Sequence, residues 1–187
     1  MNIAFGPVPS RRLGRSLGIN NIPPKSCSYS CLYCQVGATH GQMITPQVFY
    51  APEDIFLEVS EHLKKVDGTN EAVDYLTFVP DGEPTLDINL GKTIELLRPL
   101  NIPIAVITNA SLLWHEDVRA EIGKADWVSL KVDSTIEPIW KRINRPHKGL
   151  RLNEVLNGIQ LFAQEFQGKL VTETMLLNGV NDNDENI

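Results

Sequence analysis

Outside one window of eight residues this sequence has no cysteine. Cys27, Cys31 and Cys34 stand in Cys-Ser-Tyr-Ser-Cys-Leu-Tyr-Cys, which excludes a disulfide framework: pairing any two leaves the third over, whereas thiols this close can converge on one metal centre. Long apolar runs are also missing. No stretch has the length of a signal-peptide core or a membrane span, so no membrane partner is expected and the cytoplasm, where thiols stay reduced, is the expected compartment. The third absence is acidic. Residues 1–52 contain no Asp or Glu and carry Arg11, Arg12, Arg15 and Lys25, a charge of +4, while the whole chain has a net charge of −6. Cations around the cysteines would favour an anionic ligand there; the plainer reading is a Pro/Gly-rich loop segment without the Glu-rich helix faces found later. The acidic whole argues against non-specific nucleic-acid binding and leaves room for a local RNA contact.

What is present narrows the metal. A structural zinc site takes four protein ligands, and a [4Fe-4S] cluster held wholly by protein takes four cysteines. Three thiols leave two solutions. His40 completes a zinc module of three cysteines and one histidine, or one iron corner stays open for a ligand that is not protein. A simple electron-transfer Fe-S module is a third, non-catalytic reading.

The 187 residues, 42% hydrophobic and 21% charged, suit one domain with a sizeable core. β-branched and apolar runs predict strands over 16–22, 73–79, 102–108, 127–132 and 170–177, and helices opening at 52 and spanning 90–97, 116–124 and 152–166. Pro52-Glu53-Asp54 places proline and acids in a first helical turn, with Ile55, Phe56, Val59 and Leu63 as its apolar face. Strand-helix alternation with strands as apolar as Ile-Ala-Val-Ile implies a parallel sheet covered by helices, an α/β architecture that is barrel-like or open. Ligands of such sheets sit beyond the carboxyl ends of the strands. The loops there are 27–34, 81–85, 108–110, 133–134 and 178–182, all polar or glycine-bearing.

Cys-x3-Cys-x2-Cys with an aromatic residue, Tyr33, before the last cysteine resembles the signature of the radical S-adenosylmethionine (SAM) superfamily. The resemblance implies that Cys27, Cys31 and Cys34 ligate a [4Fe-4S] cluster whose fourth iron is chelated by SAM. It also implies reductive cleavage of SAM to a 5′-deoxyadenosyl radical that abstracts hydrogen from a substrate. Further motifs extend it. Gly82-Glu83-Pro84 resembles the family's Gly-Gly-Glu, with Asp81 replacing the first glycine, and implies a hold on the SAM amino group; the same residues would serve as a tight turn. Thr108-Asn109 resembles Thr-Asn-Gly near the SAM methionine and ribose, with Ala110 departing from glycine, and equally suits a cap. Ser129, Lys131 and Asp133 lie on one strand face, where Lys131 and Asp133 form either an internal salt bridge or, for Asp133, a cofactor contact. Gly179-Val180-Asn181-Asp182 resembles a stretch that approaches the adenine, with Val180 as the contact, or is a plain turn. Arg142, Arg145 and His147 read as a solvated basic loop or as a grip on an anionic substrate.

The opening Gly6-Pro7-Val8-Pro9-Ser10-Arg11-Arg12-Leu13-Gly14 resembles the Fe-S oxidoreductase branch related to wyosine-synthesis and activase-type members. The family fold is a partial (βα)6 TIM-like barrel. With five strands read here, residues 1–187 are expected to form a radical SAM core domain truncated after the fifth strand. An electron donor such as flavodoxin or ferredoxin is implied, and a substrate that is a small molecule, a protein or an RNA.

Overall fold

The computed structural model describes residues 3–67 and 72–183. A single sheet of six strands organises them: β1 (Ala4–Ser10), β2 (Gly14–Ile19), β3 (Tyr75–Phe78), β4 (Ile104–Thr108), β5 (Trp127–Lys131) and β6 (Lys169–Glu173), neighbours in that order. From β2 to β6 every pairing is parallel, through Leu17↔Leu76, Leu76↔Ile104, Val106↔Val128 and Val128↔Leu170. The five strands read from the sequence are these five, each within a few residues of its expected bounds. The sheet is open, as in a partial barrel.

Helices α1 (Pro52–Asp67), α2 (Leu90–Leu97), α3 (Glu116–Ile122), α4 (Glu137–Asn144) and α5 (Leu152–Glu165) fill the crossovers. α1 opens on Pro52 with Glu53 and Asp54 in its first turn and closes on Lys64 and Lys65, the charge order that the helix dipole favours. The period-two alternation of each strand divides its side chains between two faces. Leu17, Leu76, Phe78, Val106, Val128 and Leu130 meet Ile55, Val59, Ile94, Ile122 and Phe162 of the helices in one buried core, each such side chain contributing about 1.5–3 kcal/mol. Leu13, Ala105 and Trp127 form a smaller cluster with Tyr75, Ile107 and Val171. Both faces of the central strands are therefore covered, which is why they read as near-continuous apolar runs.

Two elements depart from the sequence reading. Residues 4–10 were not expected to form a strand, because Gly6, Pro7 and Pro9 are poor strand residues. They succeed as the antiparallel edge strand β1, paired Ala4↔Ile19 to Ser10↔Gly14 with a register shift between Phe5 and Val8; an edge tolerates proline because one side of its ladder is free. The second is α4, which occupies the crossover read as loop and places exposed Arg142 on its last turn, with Arg145 left-handed (φ 43°) at its end. The hairpin between β1 and β2 also reaches across the sheet, since Arg12 Nη2 lies 2.5 Å from Glu173 Oε1 on β6.

Candidate metal centre

The cysteines lie on the long connection between β2 and α1, which is fastened on three sides. Against the end of β3, Lys25 N donates to Asp81 O (2.7 Å) and Glu83 N donates to Ser26 O (2.9 Å). Gly82 makes this approach possible: a Cβ there would stand 2.2 Å from Ser26 O. Against the end of β4, the hydroxyls of Ser28 and Ser111 are 2.6 Å apart. Against the end of α4, Ser30 N donates to Asn144 O (3.0 Å) and Leu32 N to Ile143 O (2.9 Å), satisfying carbonyls that a helix terminus leaves open. Tyr29 is buried there, its hydroxyl accepting from Trp140 Nε1 at 3.1 Å. Strand ends and one helix end thus hold the three thiols over the carboxyl edge of the sheet.

All three cysteines are half-buried and in no disulfide. Burial, with Glu83 nearby, pushes the Cys27 thiol up to about 12, and both other thiols act on it electrostatically. Burial raises Cys31 as well, against hydrogen bonds from Asn144 and Tyr33. Desolvated thiols at close quarters are poor places for free anionic charge and good places for a cation that takes them as thiolates. Each sulfur also meets a side-chain N–H donor: Asn109 Nδ2 at 3.6 Å from Cys27 Sγ, Asn144 Nδ2 at 3.4 Å from Cys31 Sγ, and Lys25 Nζ at 3.9 Å from Cys34 Sγ. His40 is exposed. Among the described residues no group of three or more His, Cys, Asp and Glu is arranged to enclose a single metal ion. A compact zinc site, with sulfurs about 2.3 Å from one ion, is therefore not assembled among them. A four-iron cube takes each thiolate on a separate corner instead of gathering them on one ion.

Around the thiols the remaining expected residues separate into two groups. Glu83, 1% exposed, supports the site from behind. Its Oε1 accepts from Thr85 N (3.1 Å), Thr85 Oγ1 (2.5 Å) and Thr108 Oγ1 (2.5 Å), and its Oε2 from Asn109 N (2.7 Å). Burial raises its carboxyl and these four donors pull it back. Through these bonds Glu83 locks the turn at 108–109. Thr108 is buried in that lock; Pro84 is buried beside it, its carbonyl accepting from Asn21 Nδ2 at 3.1 Å. Ala110 has φ 63°, a left-handed conformation that glycine adopts without strain.

The second group gathers around Asp133, which follows β5 and is buried. Tyr33 donates its hydroxyl to Asp133 Oδ2, and Asp133 also accepts from Asn144 Nδ2 (2.6 Å) and Met175 N (2.8 Å). Burial first, then the neighbouring Cys31, holds the Tyr33 phenol above its ordinary value. Lys131 does not pair with Asp133 as the shared strand face suggested: its ammonium lies 3.9 Å from Glu173 Oε2 and 5.1 Å from the centre of the Tyr33 ring. Val180 is half-buried in a turn (Val180 N to Leu177 O, 3.0 Å) pinned by Asn181, whose side chain reaches Asp133 O at 2.8 Å. Arg145 is exposed, as the solvated reading had it, while half-buried His147 turns its Nδ1 onto Gly149 N. The residue that the sequence reading missed is Asn144. Nothing in its local sequence marks it, and only the docking of residues 28–32 on the end of α4 brings it to Cys31.

A cleft of about 540 Å³ runs from Tyr33, Cys34 and Asp81 down the inner face of the sheet, along Ser16, Thr77 and Ile107. That volume is in the range of cofactor and substrate pockets.

Comparison with known proteins agrees with this geometry. The profile of the Radical SAM superfamily matches residues 21–187. A UPF0026 protein of Methanocaldococcus jannaschii is 58% identical over 187 residues, all of this chain and 58% of the relative, so the chain spans somewhat more than half of that protein's length. Among solved structures, TYW1 with a lysine-pyruvate adduct bound is similar over 90% of this chain and 57% of its own, at 18% identity and a TM-score of 0.64. Streptococcus suis SuiB bound to S-adenosylmethionine is similar over 82% of this chain and 32% of its own, at 16% identity and a TM-score of 0.56. These two likenesses are of fold.

Proposed function

This chain belongs to the radical SAM superfamily, and from that premise we propose that Cys27, Cys31 and Cys34 hold a [4Fe-4S] cluster, that SAM occupies the cleft beside Cys34, and that the protein is an oxidoreductase acting on a substrate in the same cleft. Cluster-driven SAM cleavage is the general mechanism of the superfamily. When bound, the cluster supplies the electron that breaks SAM into methionine and a 5′-deoxyadenosyl radical able to abstract hydrogen.

The chain's own residues bind, orient and exclude water. The observation that carries the reading is the continuity of the thiol loop with the 540 Å³ cleft, in which Tyr33 and Cys34 belong to both. Gly82 lets the loop backbone seat on the strand end. Glu83, Pro84 and Thr108 fix the turn that presents Asn109, and preorganisation of this kind lowers the entropy lost on binding. Tyr33, tied to Asp133, supplies a polar group of the cleft on the β5 side, and in this reading Val180, on the turn that Asn181 ties to Asp133, lies toward the adenine. The reductant in this reading is a small electron carrier such as flavodoxin or ferredoxin, and the compartment is the cytoplasm. No helix among the described residues is long and apolar enough to cross a membrane.

Anaerobic incubation with SAM and a strong reductant tests the proposal. Wild-type protein is expected to form 5′-deoxyadenosine and Cys31→Ala none; undiminished cleavage by Cys31→Ala contradicts it.

A further inference from the structure

An anchored side-chain N–H donor at each of the three sulfurs forms a pattern that neither the motif nor the fold requires; the Tyr33 hydroxyl is a further donor beside Cys31. Asn109, Asn144 and Lys25 come from the end of β4, the end of α4 and the cysteine loop itself. Each is held in place by a second partner that is not a sulfur. The Asn109 amide donates to Ser28 Oγ at 2.9 Å while its Oδ1 accepts from Ser111 N at 2.9 Å, so its nitrogen side is turned to Cys27. The two N–H groups of Asn144 go to Asp133 Oδ2 and Cys31 Sγ. Turning that amide over would set its oxygen against a carboxylate and a thiolate, so the orientation is fixed by charge even though Asn144 Oδ1 is buried without a partner. Lys25 is left-handed (φ 68°) and its ammonium also donates to Gly37 O, which keeps it over Cys34.

We propose that Asn109, Asn144 and Lys25 are positioning residues that each donate one N–H bond to one cluster thiolate and together raise the cluster's reduction potential. The inference rests on the cluster reading above. A one-electron reduction adds negative charge to a centre already surrounded by thiolates. Donors aimed at those sulfurs stabilise the reduced form more than the oxidised one, and such hydrogen bonds are among the means by which a protein sets the potential of an Fe-S centre. Because every donor is already anchored by a neighbour, little reorganisation accompanies electron uptake. The electron itself comes from a low-potential one-electron donor, dithionite in the test below, and the cluster alone is reduced.

The test is an EPR-monitored redox titration of anaerobically reconstituted wild type, Asn144→Leu and Lys25→Met, without SAM, with iron and sulfide counted first. Each variant is expected to keep its iron and to show a reduced-to-oxidised ratio, at a fixed applied potential, up to about tenfold lower than wild type, equivalent to a fall of about 59 mV. Asn144 is buried, so if Asn144→Leu loses iron, Lys25→Met, on a half-buried loop side chain, decides alone. A wild-type midpoint in an iron-replete Lys25→Met overturns the proposal. A wild type that binds no iron contradicts the cluster reading instead, so the two failures are distinct.

Discussion

At Glu83, burial raises the carboxyl and four donors lower it, and the outcome decides what the residue can do. With both oxygens occupied, Glu83 is a fastener of the turn at 108–109. Glu83→Gln replaces an acceptor oxygen by an N–H₂ facing donors, and a loss of about 1–3 kcal/mol of stability is expected in urea unfolding. Asp87 is a second buried acid, held by Asn21 Nδ2 (3.1 Å) and Asn89 N (2.9 Å), and burial raises it from 3.8 to about 6. An acid whose folded-state value lies above its unfolded one binds its proton more tightly when folded. Its contribution to stability is therefore full below about pH 3.8 and is lost as pH rises through about 6, a fall of about 1–3 kcal/mol. Urea midpoints measured across this window are expected to fall with pH less steeply in Asp87→Asn than in wild type. The cysteines were legible at this scale because three thiols in eight residues have few uses. Asn144 was not, since an asparagine on the last turn of a helix carries no signal until the loop that it touches is placed.

Between elements, close approach of backbones does much of the positioning. Gly82 brings the cysteine loop onto the end of β3, and Gly158 brings α5 onto the turn after β4, where a Cβ would stand 2.4 Å from Leu113 C and Trp114 N. The two glycines separate function from stability. Gly82→Ala is expected to lower the iron bound after reconstitution, because the loop must carry Ser26 O away from the added Cβ. Gly158→Ala is expected to lower thermal stability by about 2 kcal/mol or more through helix displacement; a melting temperature equal to wild type would contradict the packing described. The parallel strands were legible from β-branched and apolar runs, near-continuous in the central β4 because both of its faces are covered. β1 and α4 were not, because Pro7 and Pro9 in one and Pro138 in the other are local breakers whose places, an edge strand and a first helical turn, are set by tertiary context.

Over the whole molecule the sheet stays open, and its first hairpin and last strand meet through charge. Arg12 and Lys131 both approach Glu173. Since Arg12 is half exposed, the Arg12 pair is worth roughly 1 kcal/mol or less, and Arg12→Gln is expected to shift unfolding by no more than that. The fold class and the location of the site at the carboxyl ends of the strands were legible from strand-helix order alone. The course of the cleft was not, because it depends on how the β1–β2 hairpin, with Leu13, packs against Ala105 and Trp127. The account's central claim is that three thiols hold a cluster with one open iron, and EPR of anaerobically reconstituted, reduced protein before and after adding SAM tests it most directly. The claim predicts about four irons per chain and a cluster signal that changes when SAM binds; iron-free protein, or a signal indifferent to SAM, would contradict it.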